Sequence, residues 1–458
     1  MKKMIFRLSL GLIVLSMSCK KSDDNVIPPD GGGDTSPTPD IRGTITTDQR
    51  WTKDKVYRLR GYVYVTNGAT LTIDPGTKIV SSKDSAGVLL IYRGAKINAT
   101  GTAAEPIVFT SKEASPNPGD FGGIVIAGQA KGNGNHTVIE GGVDADFSAF
   151  GGTDDADNSG TLKYVRIEYA GKAVNPGDEV NGLSLYGVGS GTTIDYVQVV
   201  RGLDDAFEIF GGTVNCKHLI AYNCADDDFD IDDGYSGKIQ FAVSVKDPVF
   251  TDAKGTSGDV SNNFEVDNVN PSNGFVLSRP PVTFPVMSNF TAIGPNGATG
   301  TSADYGWGMR FRRGSKFILA NSVVIGGQKG GLRLQEDSTV NYFGEGISAF
   351  YNSYVHAAAG AKIDVASASG NRFDLAAITL RTTGADLSVL VDNTADLMLT
   401  DPFNNALPNL KPAAGSPLLT GALFDFGTLN AEFFEKVAYK GAFDGTTDWT
   451  AQWAVWGK

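Results

Sequence analysis

Apolar side chains recur at every second position in short runs along this chain, and the runs themselves recur. Phe207-Glu208-Ile209 and Phe229-Asp230-Ile231 carry the same alternation 22 residues apart, and at that offset Asp204-Asp205 falls on Asp226-Asp227. Shifted back by 24, Leu183-Ser184-Leu185 falls on the same triplet. A second set repeats in parallel with it: "LKYVRIEYAG" from Leu162, "IDYVQVVRG" from Ile194, "CKHLIAYN" from Cys216 and "IQFAVSV" from Ile239. Further on come "NNFEVDN" from Asn262, "WGMRFRRG" from Trp307 and "GGLRLQED" from Gly330. A period of two places successive side chains on opposite faces of a strand. Units of about 22–24 residues, rich in β-branched and aromatic residues and parted by Gly, Asn and Asp, predict an all-β chain wound as a parallel β-solenoid.

That winding assigns each residue an inside or an outside. Phe207, Ile209, Phe229 and Ile231 are predicted to stack inside. Ser184, Glu208, Asp230 and Glu265 form an outward column, with Arg310 and Arg333 later in the same register, and Asp228 and Asp232 join Asp230 on that outer face. Cys216 shares the inward register of Leu162, Ile194 and Ile239. His218 shares that of Tyr164, Tyr196 and Phe241 and reads as a wall residue. "NAEFFEKVAYK", from Asn430, is the best candidate for a short helix. The Leu/Asn consensus of a leucine-rich repeat is absent, and a propeller needs longer units.

The ends change the picture. "MKKMIFRLSLGLIVLSMSC" has a basic start and an apolar run too short to span a bilayer, then Ser18 and Cys19. It resembles a bacterial lipoprotein signal, which implies a signal peptide over 1–18 and lipidation of Cys19. "KKSDD" after Cys19 resembles the surface-export tag of Bacteroidetes lipoproteins. Residues 19–40 hold a Pro/Gly-rich stretch, "NVIPPDGGGDTSPTPD", that reads as a flexible tether. Removing the signal deletes Lys2, Lys3 and Arg7 and takes the formal charge from −12 to −15. Such a surface repels nucleic acid and anionic headgroups, leaving the lipid on Cys19 as the membrane contact. With 57 glycines and 20% charged residues, the body suits strands joined by tight turns. Cys216 and Cys224 are too few for a disulfide scaffold; a buried free thiol at Cys216 is the first reading and a Cys216–Cys224 bridge the second.

Several stretches carry a more specific likeness. "GATLTIDPGTKI" (Gly68–Ile79), "AEPIVFTS", "FGGIVIAG", "DNSGTLKYVRIEYAG", "GLSLYGVGSGTTIDYVQV", "DDAFEIFGGTVNCKHL", "AAGSPLL" and "YKGAFDGTTDWTAQW" resemble the right-handed parallel β-helix lipoproteins of Bacteroidetes and related bacteria. The resemblance implies a single β-helix over 41–420 with a C-terminal cap over 421–458, anchored in the outer membrane and exposed at the cell surface. It brings no settled activity with it.

The chemistry concentrates in "GLDDAFEIF" and "ADDDFDIDDG". Two carboxylates about 5 Å apart repel by roughly 0.8 kcal/mol even in water, so a stripe of them needs an offset. Three are open: a hard cation such as calcium, basic side chains from neighbouring loops, or solvent with raised pKa values; the cluster then reads as a solvated acidic face, a cation site, or a site for a cationic or polyhydroxylated ligand. The candidate ligand-binding residues are Asp204, Asp205, Glu208, Asp226, Asp228, Asp230, Glu265, Arg310 and Arg333; the candidate calcium ligands are Asp226, Asp228, Asp230 and Asp232. The spacing is not that of an EF-hand, because Asp233 falls where glycine is needed. "DDADNSG" (Asp154–Gly160) reads as an Asx-rich turn into the strand from Leu162. His136, His218 and His356 sit in no metal-ligand motif, and no phosphate loop, dinucleotide fingerprint or nucleophile elbow is present. The reading is a lipid-anchored protein that binds a glycan or an outer-membrane transport protein along its wall without catalysis. The alternatives are a structural or adhesive surface protein and a lyase- or glycosidase-like enzyme, in which paired carboxylates act on a sugar. In the enzyme, Arg201, Arg310, Arg312, Arg313 and Arg333 neutralise its acid groups and Tyr186, Tyr305 and Trp307 stack on it.

Overall fold

A computed structural model describes residues 38–175, 178–252, 259–367 and 374–458. The signal, Cys19 and nearly all of the tether lie outside the described residues. Among the described residues, twenty-six strands join in one sheet whose pairings are all parallel, wound as a right-handed β-helix. No described helix is long and apolar enough to cross a membrane.

The wall that carries the acidic triplets stacks Leu183–Tyr186, Phe207–Phe210, Phe229–Asp232, Phe264–Val266, Trp307–Phe311, Gly330–Gln335 and Ala361–Ala366 in order. Its register pairs Leu183 with Phe207, Phe207 with Phe229, Phe229 with Phe264 and Phe264 with Met309. Inside, the rings of Phe207, Phe229 and Phe264 stack at 5.3 and 5.5 Å, and Ile209, Ile231 and Val266 are buried beside them. Non-directional burial of these side chains stabilises the winding by roughly 2 kcal/mol each.

The other two walls share long strands, among them Gly160–Glu168, Thr193–Val200, Asn215–Tyr222, Lys238–Val245 and Val286–Ile293. Each turns the corner at one left-handed residue: Tyr164, Tyr196, His218, Phe241 and Asn289, with φ between 49° and 60°. Non-glycine residues in that region carry strain of about 1–3 kcal/mol, and packing offsets it. Tyr164, Tyr196, His218 and Phe241 form a continuous outward stack, and His218 Nδ1 also lies 2.8 Å from Asp195.

Residues 421–458, expected as a terminal cap, run along this corner as a strap. Trp453 packs edge-on against Tyr164 and Tyr196, and Trp449 against His218. Buried corner amides hold the strap's backbone: Gln198 to Val455, Gln240 to Glu435, Asn289 to Tyr439, Asn321 to Leu423 and Asn352 to Gly421. The helix expected from Asn430 is absent; a short 3-10 turn, Gly427–Asn430, is followed by irregular chain. The corner amides take up Glu435's peptide groups that a helix would use internally. Among the described residues two short helices occur elsewhere, α1 (Asp337–Gly344) and α2 (Leu375–Thr383). Asp374 caps α2 by accepting from the Ala377 N–H. Cys216 and Cys224 are both buried and unbridged, with Cys216 in register with Ile194 and Ile239.

Candidate ligand-binding site on the acidic wall

The outward positions of the first wall line up as Ser184, Glu208, Asp230, Glu265, Arg310, Arg333 and Asp364. The column is acidic at Glu208, Asp230 and Glu265, basic at Arg310 and Arg333, and acidic again at Asp364. The strands of Glu208 and Asp230 are entered through turns that add further carboxylates, Asp204 and Asp205 before Phe207 and Asp226 and Asp227 before Phe229, whereas Asn262 and Asn263 precede Phe264. Asp205 accepts from the Asp227 N–H at 2.8 Å, which links successive turns.

Three overlapping triads result. Asp204, Asp205 and Asp226 offer oxygens within 4.8 Å of one another; so do Asp205, Glu208 and Asp230, and Asp227, Asp230 and Glu265. A calcium ion takes oxygens at about 2.3–2.6 Å, so any two of its ligands lie at most about 5 Å apart. The triads meet that limit, and Asp230 Oδ1 is buried without a hydrogen-bond partner among the described residues. The donor set therefore fits a hard cation.

The surroundings withhold water from this stripe. The segment between Ala127 and Gly160 folds over the early coils of the wall, burying Ile139 and Val180 with Tyr64, Tyr186 and Phe210. Asn133 and Asn135 tie it to the 267–285 segment through Asn268, Asn270 and Asn273. His136 seals one flank with Nδ1 3.0 Å from Asp233. Asn181 donates to Glu208.

Desolvation sets the electrostatics. Burial, reinforced by Asp226 and Asp204, pushes the Asp205 carboxyl well above the usual range. Burial, with Glu140 and Asp230, does the same to Glu208, and burial with Glu265 and Asp227 to Asp230. Glu265 is raised by burial to about 7 against the pull of Arg312 and Arg310. For His136, burial lowers the value, but Asp233 and its neighbours override it and hold it at about 9.

The structure separates residues that the alternation had grouped. Asp228 precedes its strand, is fully buried, and pairs with the equally buried Lys246 at 3.1 Å, with Ser244 donating to it; it belongs to no triad. Asp232 lies at the far corner with His136 and Asp233, where Asn135 donates to it. The four expected calcium ligands, Asp226, Asp228, Asp230 and Asp232, thus do not share one site. Arg310 reaches Glu265 at 3.2 Å and Asp259 at 3.3 Å. Arg312 and Arg313 pair with Asp267, and Arg333 pairs with Asp364 and lies 4.1 Å from the Trp307 ring centroid. Arg201 is not part of the wall: it bonds Asp247 and the Lys458 carbonyl. Tyr186 and Tyr305 are 1% exposed and cannot stack on a sugar, whereas Trp307 is half-buried. His136, Glu140, Asn181, Asp227, Asp259 and Asp267 were missed. All but Asp227 come from turns and insertions outside the aligned triplets; Asp227 shares Asp205's place in the repeat, and that alignment was its signal.

The chain matches the family model of pectate-lyase-like β-helix domains over residues 43–390. The catalytic domain of a GH87 alpha-1,3-glucanase, solved in complex with tetrasaccharides, covers 76% of this chain and 71% of its own, at 10% identity and a TM-score of 0.27. No curated protein matches the sequence. With the family match spanning most of the solenoid, the chain belongs to the pectate-lyase-like β-helix domain family.

Proposed function

We propose that this protein binds a glycan along its acidic wall, with calcium held among Asp204, Asp205, Glu208, Asp226, Asp227, Asp230 and Glu265. The observation that carries the reading is the overlap of the triads at Asp205 and Asp230. A cation there relieves the repulsion among desolvated carboxylates and leaves coordination positions for sugar hydroxyls. Trp307 and Arg333 lie at the column's basic stretch and supply a stacking surface. The lipoprotein-like start supports an anchor at Cys19 and a place on the outer membrane, among the β-helix lipoproteins its segments resemble. An outer-membrane transport protein remains the alternative partner. Calorimetry of the full chain with calcium, then with a glycan array in its presence, tests the proposal. Absence of calcium binding by wild type, or equal binding by Asp230→Asn, refutes the cation site; binding of no glycan refutes the ligand.

A second reading is glycan cleavage. It is favoured by Glu265, which burial raises to about 7 against Arg312 and Arg310, beside Asp230 and Glu208, whose carboxyls burial also pushes well above the usual range. A carboxyl that holds its proton near neutral pH is what general-acid attack on a glycosidic bond requires. Product analysis on any glycan that binds separates the readings.

A further inference from the structure

A second polar cavity lies away from the acidic wall. The antiparallel strands Leu399–Asp401 and Asn409–Pro412 face the end of the strap across a space of about 420 Å³, within the range of small-molecule sites. Phe443 and Trp456 supply its apolar surface; Asp401, Asn409, Lys411 and Asp448 supply its polar edge.

Trp456 is set apart from the other strap tryptophans. Trp449 donates its indole N–H to the Ala442 carbonyl and Trp453 to the Trp449 carbonyl. Among the described residues the Trp456 indole N–H has no partner, and the ring is half-buried. It is nevertheless held still. Val455 is bonded in both directions to Gln198, the Gly457 N–H donates to the Tyr222 hydroxyl, and the Tyr222 ring meets Trp456 edge-on at 4.9 Å. An aromatic platform fixed before binding loses little entropy on binding.

The polar edge is partly engaged and partly open. One Asp401 oxygen accepts from Asn404, and one Asp448 oxygen accepts from Thr450; the second oxygen of each remains. The Lys411 ammonium and the Asn409 amide nitrogen donate to no group among the described residues. Donors and acceptors therefore surround one aromatic face with little net charge. A phosphate or polyanion meets two carboxylates here, and a wholly apolar ligand leaves the polar edge desolvated and unpaired. A sugar ring, apolar on its C–H face and hydroxylated at its rim, matches both halves.

We propose that this cavity is a second binding site, for a neutral sugar unit, with Trp456 as its stacking platform and Asp401, Asn409, Lys411 and Asp448 bonding the hydroxyls. It shares no residue with the acidic wall. The test is calorimetry of the full chain with neutral trisaccharides of glucose, mannose, galactose, xylose and N-acetylglucosamine. At least one should bind with a Kd of about 1 mM or tighter. Trp456→Ala, and separately Lys411→Ala with Asn409→Ala, should weaken it by about tenfold or more, while Asp205→Asn with Glu208→Gln leaves it unchanged. The double hairpin variant decides the matter even where Trp456→Ala loosens the strap. Failure of all the trisaccharides to bind, or binding that survives the hairpin variant, overturns the proposal. Binding abolished by the wall variant instead assigns the sugar to the wall and overturns it too.

Discussion

The same substitution at two aspartates separated by one residue should change stability in opposite directions. Asp230 sits in two of the triads, with neighbouring carboxylate oxygens within 4.8 Å and no basic group among the described residues paired to it. Two unit charges at that distance repel by about 1 kcal/mol in water and about 3.5 kcal/mol at an effective dielectric of 20. Because Asp230 retains some solvent contact, a gain of about 1–3 kcal/mol is expected for Asp230→Asn in chelator at pH 8. The sign follows from its raised proton affinity. A carboxyl raised in the folded state contributes stability that is fully present below its unfolded value, about 3.9, and is lost as pH rises through the folded value. The gain from Asp230→Asn is therefore absent near pH 4 and grows toward pH 8. Asp228 is different. Its carboxylate lies 3.1 Å from the equally buried Lys246 ammonium and accepts from Ser244, so its removal strands a buried charge. Breaking one side of a buried pair costs about 3–5 kcal/mol. Asp228→Asn should destabilise. A chain of this length shifts in Tm by only about 1 °C per kcal/mol, so the assay is urea unfolding in chelator at pH 5 and pH 8, supported by hydrogen exchange at Phe229–Asp232. Millimolar calcium should stabilise wild type and not Asp230→Asn. Loss of stability in Asp230→Asn at pH 8, or a gain in Asp228→Asn, refutes the electrostatic assignment of this wall.

Phe229→Ala should cost about 3–5 kcal/mol in the same unfolding assay, since the ring is 1% exposed between Phe207 and Phe264; a change below about 1 kcal/mol would place it outside. His136, held at about 9 in the folded protein, contributes stability that is complete below its ordinary value of about 6.5 and lost as pH rises through 9. Exchange protection of residues 129–158, normalised to intrinsic rates, should accordingly fall between pH 7 and 10 in wild type and stay flat in His136→Gln; parallel profiles would show that the His136–Asp233 contact holds nothing. Cys19→Ala should lose metabolic lipid label that wild type carries, and equal labelling would remove the anchor.

The winding was legible because a strand's period of two leaves little choice once one face is a core. Leu183, Phe207, Phe229 and Phe264 share a register that a one-residue slip would turn outward. The strap was not legible in that way, because its residues follow no period of their own. Its signal lay on the corner it covers. Gln198, Gln240, Asn289 and Asn321 are fully buried amides, and buried amides require partners. Neighbouring coils supply part of that need, with Gln240 donating to Asn289 and Asn352 to Asn321, and a segment from elsewhere in the chain supplies the rest.

For the site, the alternation succeeded as far as the strand extended and failed one residue beyond it. Glu208, Asp230, Glu265, Arg310 and Arg333 are paired in sequence across coils, whereas Asp228 lies in the turn before Phe229, where a side chain no longer obeys a period of two. Lys246 was its signal: an ammonium directly after the apolar run Ile239–Val245 needs a buried counter-ion, and the Ser244 hydroxyl donates to the same carboxylate. The proton affinities depend on a different link. The stripe alone, open to water, would be an ordinary acidic surface. The 128–158 segment, clasped to 267–285 through asparagines, takes the water away and turns the same carboxylates into groups that must be protonated, metal-bound or covered by ligand. Those two insertions break the 22-residue repeat, and breaking it is how a uniform wall acquires one place unlike the rest.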